Sequence, residues 1–426
     1  MIDKKLYKDL KNSIDSMKVI DTHEHVMYES ERRLKNLNFF YGYTLQDLVS
    51  SGLTQTGLEK LKNPEVDLKT KWNIFQPCWE NIKCSGHAKA IKIALKDIYN
   101  IDNINLNSIE EITEKINKYK KTEYYEDVLK KRSKIEYVLN DVHLDGLGYE
   151  VREPDVDYFF SVIRKDELFR LNSAEGLAKT EKKYNISINS LSAFVDMVDS
   201  DFEKRKDRIY AYKISCSYNR NLVFEDVSFD KAEKSFSKVL KLNRHDYSPE
   251  NVPFNEMKPF QDYMYHHYIR KMINHNIPIQ IHTGVNIAYN DARNTNPLLL
   301  TDLLLKYKEG RFDLFHGGYP FTNELIAMVK MYPHCYTNMC WIPQLSVTLL
   351  KNTLDLLIDM IPSNKIFGFG GDYLTIEGTY GALKITREAI LEVLYKRVES
   401  NWLSFEEAIE FAEKILYKNA KNFYLK

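Results

Sequence analysis

The chain has 426 residues, 44% hydrophobic and 28% charged, enough for a large core in one big domain or in a domain with an insertion. Lysine plus arginine number 60, as do aspartate plus glutamate, which excludes a nucleic-acid stripe and a polybasic membrane anchor. The five cysteines, Cys78, Cys84, Cys216, Cys335 and Cys340, are odd in number and match no zinc-knuckle spacing. Met1-Ile2-Asp3-Lys4-Lys5 lacks the apolar core of a signal peptide, and no run is apolar for long enough to span a bilayer. The expectation is a chain of the reducing cytoplasm with free thiols.

Residues 5–16 read as a short surface helix leading into Val19-Ile20-Asp21-Thr22-His23-Glu24-His25. Alternate side chains of a strand share a face, so His23 and His25 point the same way. Two imidazoles on one face at a strand's end can hold a divalent metal, although a His-x-His there is more often only solvated or packed.

From about residue 45 to 132 the pattern is helical, and residues 27–132 are expected to form a helical insertion beside the site. Ser108-Ile109-Glu110-Glu111 predicts a capping box that starts a helix over 108–119, and a further helix is expected over 124–131. Trp72 and Trp79 either close over a ligand or anchor the core of the insertion.

Beyond it, short apolar runs alternate with helical stretches. Strands are predicted over 135–139, over 158–163 ending at Arg164, over 208–212 ending at Lys213, and over 278–281 ending at His282. Asn296 and Pro297 cap a helix that Gly310 closes. Strands follow over 312–315 ending at His316, over 335–339, and over 365–369 ending in Gly370-Gly371-Asp372. Two amphipathic helices finish the chain, the second with a capping box at Ser404 and Glu407. Eight strands alternating with helices argue for a parallel sheet closed into a (β/α)8 TIM barrel, one domain over residues 1–426. Chemistry in such barrels sits at the C-terminal strand ends, where His23, His25, Lys213, His282, His316 and Asp372 all fall.

His23-Glu24-His25, His282-Thr283-Gly284, His316-Gly317-Gly318-Tyr319-Pro320 and Gly370-Gly371-Asp372 together resemble the amidohydrolase superfamily of metal-dependent barrels. The similarity runs from the first strand to the end, and is greatest to the branch that also contains uronate isomerase-like and decarboxylase members. It implies that His23, His25, His282 and Asp372 are metal ligands, that Asp372 also takes a proton from water, and that His316 polarises the substrate or shuttles a proton. In two-metal relatives the sixth-strand histidine binds the second ion instead. Lys213 occupies the place of the carboxylated lysine that bridges two ions; a lysine binding an acidic substrate group and a salt-bridged structural lysine are the alternatives. The cofactor expected is one or two divalent ions, zinc or else manganese.

Arg164 is a candidate clamp for a substrate carboxylate, against an ion pair with Asp166 or a nearby acid. Trp341 is a candidate wall of the pocket. His143 is a rim residue, His266 and His267 are structural, His334 lies at the wrong barrel end, and His87, His245 and His275 have no supporting pattern. The implied activity is hydrolysis of an amide, lactone or ester bond in a small acidic molecule. The alternative is a non-hydrolytic enzyme on the same site, a uronate or sugar-acid isomerase or a decarboxylase. The expected partner is a small-molecule substrate, with self-association of the chain left open.

Overall fold

The computed structural model describes residues 3–35, 37–40, 45–119, 123–141, 156–242, 251–287 and 290–425. Eight parallel strands stand in sequence order: β1 (Val19–Glu24), β2 (Ile135–Asn140), β3 (Phe159–Arg164), β4 (Ile209–Ile214), β5 (Ile279–Ile281), β6 (Phe312–Leu314), β7 (Cys335–Asn338) and β8 (Ile366–Phe367). The sheet curls back on itself beyond β8. Thr22 N–H donates to Phe369 O, Asp372 N–H to His23 O and His25 N–H to Tyr373 O, so the residues after β8 run alongside β1. This is the (β/α)8 TIM barrel that the alternation of strands and helices predicted.

Apolar side chains from several strands fill the barrel's lower interior: Ile20, Leu139, Val162, Ala211 and Phe367 pack with Phe423 and Tyr424 of the C-terminal Asn419–Tyr424 helix. Above them lies a polar layer. Tyr424 hydroxyl donates to Asp313, Gln280 donates to Tyr424 hydroxyl, and Asn338 donates to Asp313 and to Thr22. Burial pushes the Asp313 carboxyl up to about 7.

Between β1 and β2 the described residues form helices α1 (Glu29–Leu34), α2 (Leu45–Ser50), α3 (Gln55–Lys62), α4 (Leu68–Ile82), α5 (Gly86–Tyr99) and α6 (Leu106–Lys118), then a π-helical stretch, Glu126–Arg132. The start of α6 corrects the sequence reading: Asn105 is the cap, and Ser108 closes the capping box from the third helical position. The Asn105 side chain takes the Ser108 N–H at 3.0 Å while the Ser108 hydroxyl takes the Asn105 N–H at 2.8 Å. The box at Ser404 and Glu407 forms where it was expected.

These helices share the main hydrophobic core with the barrel's outer layer. Trp72, Phe75 and Trp79 pack together with Phe39 and Phe40. A buried ion pair ties the region to the barrel: Arg32 on α1 donates to both carboxylate oxygens of Glu377, at 3.2 and 2.6 Å, from the Ile376–Glu399 helix. Tyr99 and Tyr124 hydroxyls also donate to Glu377.

The last strand is shorter than predicted because Gly368 N–H turns away to Ile415 O, which ends the ladder before Gly370. β3 ends at Arg164 as expected, and β4 runs one residue past Lys213, to Ile214.

Candidate metal centre

A cavity of about 560 Å³ opens at the C-terminal ends of the strands. His23, His25, Arg164, Lys213, His282, Trp341 and Asp372 all line it, as do Ser215, Tyr218, Gln344 and Tyr373. His316 is fully buried just beneath, its ring 4.4 Å from that of His282 and 5.3 Å from that of Trp341. Helices α2, α3 and α5 contribute Gln46, Leu58 and His87 to the wall. Trp72 and Trp79 do not line the cavity and are core anchors. His143 and His245 lie outside the described residues. His266 contacts Tyr307 hydroxyl, His267 pairs with Asp199, and His334 contacts Leu304 O ahead of β7.

The hydrogen bonds fix which nitrogen of each site histidine carries the proton. His25 Nδ1 lies 2.6 Å from Asp141 O and His316 Nδ1 lies 2.9 Å from Cys340 O. His282 Nε2 lies 3.1 Å from Val285 O. A carbonyl only accepts, so each of these nitrogens is the N–H donor. His23 Nδ1 faces Gln280 Oε1 at 3.2 Å, and the Gln280 amide nitrogen is committed to Thr22 O and Tyr424, so His23 donates too. The opposite nitrogens are then lone pairs.

Those lone pairs converge. His25 Nε2 and His23 Nε2 stand 3.1 and 3.8 Å from Asp372 Oδ1. His316 Nε2 stands 3.9 Å from Asp372 Oδ2 and 3.1 Å from His282 Nδ1. Acceptors facing acceptors repel unless a cation lies among them. Imidazoles whose outer N–H is held by an oxygen, with the inner nitrogen free, are the usual state of metal-ligating histidines.

Charge states agree. Burial, ahead of the Lys213 ammonium, holds the His23 imidazole well below its ordinary value. Burial, ahead of His316, does the same for His282, and burial brings His316 down to about 4. Burial alone would raise Asp372, but contact with His25, then the nearness of His23 and His316, holds its carboxyl well below the usual range. Near neutral pH His23, His282 and His316 therefore stand as neutral imidazoles beside a carboxylate, a donor set that suits zinc.

Two tight groupings of possible ligands exist among the described residues: His23, His25 and Asp372, and His316, Cys340 and Asp372. Burial raises the Cys340 thiol well above its ordinary value, which leaves it a poor ligand. His282 belongs to neither group and meets His316 instead. Lys213 Nζ, buried and without a hydrogen-bond partner, sits 3.1 Å above the Phe315 ring centroid, and burial pushes its ammonium down to about 8.

The backbone aims these groups. His316, Trp341 and Asp372, which follow β6, β7 and β8, have φ of 61°, 67° and 55°, a conformation that non-glycine residues adopt at a cost. Around Asp372 the cost is offset by three consecutive N–H donors: Gly371 to Asp21 Oδ1, Asp372 to His23 O, and Tyr373 to Glu24 Oε2 at 2.7 Å. A Cβ at Gly371 would run into the Glu24 carboxylate, so only glycine lets the two chains approach. Asp21, Glu24, Asp141 and Gln280 are the supporting residues that sequence reasoning missed. Asp141 pairs with Arg164, so the acid partner of Arg164 is Asp141 and not Asp166. A carboxylate directly after β2 was the available signal for it.

The fold and site thus define a TIM barrel with a histidine–aspartate centre suited to a divalent ion. The amidohydrolase family model matches residues 242–425. The structure is similar to that of uronate isomerase from Thermotoga maritima, with a TM-score of 0.77 and 16% identity over 100% of this chain and 98% of that one. It is also similar to glucuronate isomerase from Caulobacter crescentus (TM-score 0.72, 14% identity, 99% and 94% covered). A third likeness is to a Lactobacillus casei chain proposed to be a metal-dependent hydrolase (TM-score 0.65, 15% identity, 97% of each covered). Among curated proteins, the chain is 24% identical over 206 residues to protein fluG of Emericella nidulans, covering 47% of this chain and 23% of that protein. The solved structures share the barrel fold of this chain, and the family match over residues 242–425 falls on the stretch that holds three of the four motifs, those at His282, His316 and Asp372.

Proposed function

We propose that the chain is a metal-dependent hydrolase that cleaves an amide, lactone or ester bond in a small acidic molecule. The observation that carries the reading is the convergence of four imidazole lone pairs and the Asp372 carboxylate, each outer N–H already committed to an oxygen. His23, His25 and Asp372 would hold one ion, zinc or manganese, and His282 with His316 would serve a second where two bind. Lys213 belongs to the same centre, as a ligand in the two-ion case. Such an ion supplies Lewis acidity, polarising a carbonyl and making water a nucleophile near neutral pH.

The chain's own residues do the rest. Asp372, kept ionised, takes the proton of the attacking water. His316, neutral beneath Trp341 and with its Nε2 unprotonated, accepts that proton and passes it on. Arg164 holds the substrate's carboxylate through whichever donors its pairing with Asp141 leaves available, joined by the Lys213 ammonium where a single ion binds. Trp341 walls the cavity, and residues 27–132 act as an inserted cap that narrows its mouth. The five free cysteines support a reducing compartment such as the cytoplasm. No helix among the described residues is long and apolar enough to cross a membrane.

The second reading is isomerisation of a uronate or related sugar acid, with Asp372 taking a proton from carbon or hydroxyl. The whole-chain fit to the Thermotoga isomerase, inserted helices included, favours it. A panel of N-acyl amino acids, lactones and sugar acids turned over in oxygen-18 water and, in parallel, in deuterium oxide separates the two. Label in the product supports hydrolysis. Turnover without label, accompanied by solvent deuterium on carbon, rejects hydrolysis in favour of the isomerase.

A further inference from the structure

His23 offers a lone pair on Nε2 only while Nδ1 keeps the ring proton, and Nδ1 keeps it only while an acceptor faces it. That acceptor is an amide, which presents an oxygen or an N–H2 depending on which way round it stands. With Gln280 Oε1 3.2 Å from Nδ1, His23 Nε2 faces Asp372 unprotonated. With the amide reversed, the glutamine N–H2 would donate to Nδ1. The ring proton would then sit on Nε2, and His23 would be no ligand. Whatever holds Gln280 one way round therefore decides whether His23 can bind an ion.

Two acceptors hold it. Gln280 Nε2 donates to Thr22 O at 2.9 Å and to Tyr424 Oη at 3.1 Å. The carbonyl only accepts. The Tyr424 hydroxyl could do either, but its proton goes to Asp313 Oδ2, which also takes an N–H from Asn338 at 2.8 Å. Tyr424 Oη is thus left as an acceptor toward the amide. Gln280, Asp313, Asn338 and Tyr424 are all buried, where such a chain of hydrogen bonds holds its direction against solvent.

Tyr424 comes from the far end of the barrel. Arg311, just ahead of β6, donates to Phe423 O and to Asn276 O, so the Asn419–Tyr424 helix sits under the N-terminal ends of the strands. Phe423 packs on Tyr336 and Phe367 there, with ring centroids 4.5 and 5.0 Å apart. The relay of hydroxyl, amide and imidazole therefore runs from this helix up through the barrel interior to the cavity.

We propose that Tyr424 is a positioning residue of the metal centre: through Gln280 it holds His23 in the tautomer that leaves Nε2 free for the ion. This rests on the place of His23 in the proposed function, and it holds for hydrolysis and isomerisation alike. It makes the Asn419–Tyr424 helix part of the centre's support, from the opposite end of the barrel.

The test is competition for zinc between the purified chain and a chromophoric chelator. Gln280→Leu should weaken zinc binding by roughly tenfold to a hundredfold, the usual cost of removing the partner of a ligating histidine. Tyr424→Phe removes one oxygen and keeps the ring, and should weaken binding by roughly threefold to tenfold, about the worth of one hydrogen bond. In the Gln280→Leu background Tyr424→Phe should cost less than about twofold more, because a residue that acts through another has nothing left to act on. Gln280→Glu keeps an acceptor for His23 and should bind zinc tighter than Gln280→Leu. Phe423→Leu is the control for a merely structural helix: it should lower the thermal midpoint yet leave zinc affinity within about twofold of wild type. Unchanged affinity in Tyr424→Phe, losses that add in the double variant, or an equal loss in Phe423→Leu would overturn the proposal. The comparison of Tyr424→Phe with Phe423→Leu decides it even where Gln280→Leu does not fold. A wild type that binds no zinc would sink the metal centre and this proposal together, whereas tight binding indifferent to Tyr424 would sink this proposal alone.

Discussion

Glu377→Gln tests whether the inserted helices are locked to the barrel by one buried ion pair. Glu377 is fully buried and Arg32 is 4% exposed. Glutamine keeps an oxygen for the Tyr99 and Tyr124 hydroxyls but turns an amide N–H2 toward one Arg32 nitrogen, so the charge and one hydrogen bond from Arg32 are lost. Leaving one partner of a buried pair uncompensated costs about 3–5 kcal/mol. With about 2.1 cal/mol/K of unfolding entropy per residue, 426 residues unfolding as one unit give about 0.9 kcal/mol/K. The midpoint should therefore fall by about 3–6 °C in a calorimetric or circular-dichroism melt. The double variant Arg32→Met, Glu377→Leu should recover much of this, since apolar replacement of a buried pair is often neutral. The loss should also depend on pH. Burial would raise the Glu377 carboxyl, but the Arg32 guanidinium holds it below the usual glutamate range. A depressed acid stabilises the fold above its unfolded pKa, about 4.3, and that contribution is lost as pH falls through the folded pKa. The gap between wild type and Glu377→Gln should be full at pH 7 and should close below about pH 4. A variant within 1 °C of wild type at pH 7 (about 1 kcal/mol on this scale) would refute the reasoning.

Two further outcomes are expected. His316→Asn should keep the ion held by His23, His25 and Asp372 while turnover falls by roughly two to four powers of ten, read by metal analysis beside kcat. Loss of half of a two-ion complement would instead make His316 a ligand and Lys213 its bridging partner. Asp313→Asn should raise the thermal midpoint at pH 8 but leave it nearly unchanged at or below about pH 4, the unfolded carboxyl's pKa. Burial lifts Asp313 to about 7, so its stabilising contribution is present below the unfolded pKa and lost as pH rises through 7. The same shift at both pH values would show that Asp313 does not titrate there.

Much of the barrel was legible because its strands are short apolar runs, most of them ending at a residue with metal or proton chemistry. Thr22, Gln280, Asp313 and Asn338 form a buried polar layer inside those runs, and nothing in their spacing announces it. Asp141 obeys the same strand-end rule as His316 and Asp372, but it is masked in the sequence by His143 two residues on, a more conspicuous ligand type. Gln46, Gln344 and Tyr373 carry no charge and sit in loops or on a short helix, so only their convergence on one cavity marks them. Strand ends shifted by a residue or two because backbone donors such as Gly368 N–H found partners outside the sheet. The helix start at Asn105 was displaced because serine can close a capping box from its third position as well as open one.

The central claim is that the converging imidazoles and Asp372 bind a divalent ion. The direct measurement is metal content per chain, by mass spectrometry of purified protein, for wild type and for the double variant His23→Ala, His25→Ala. Wild type is expected to carry one or two equivalents of zinc or manganese. The variant, shown by circular dichroism to be folded, is expected to lose the ion shared with Asp372. A folded variant that keeps the full wild-type complement would contradict the account.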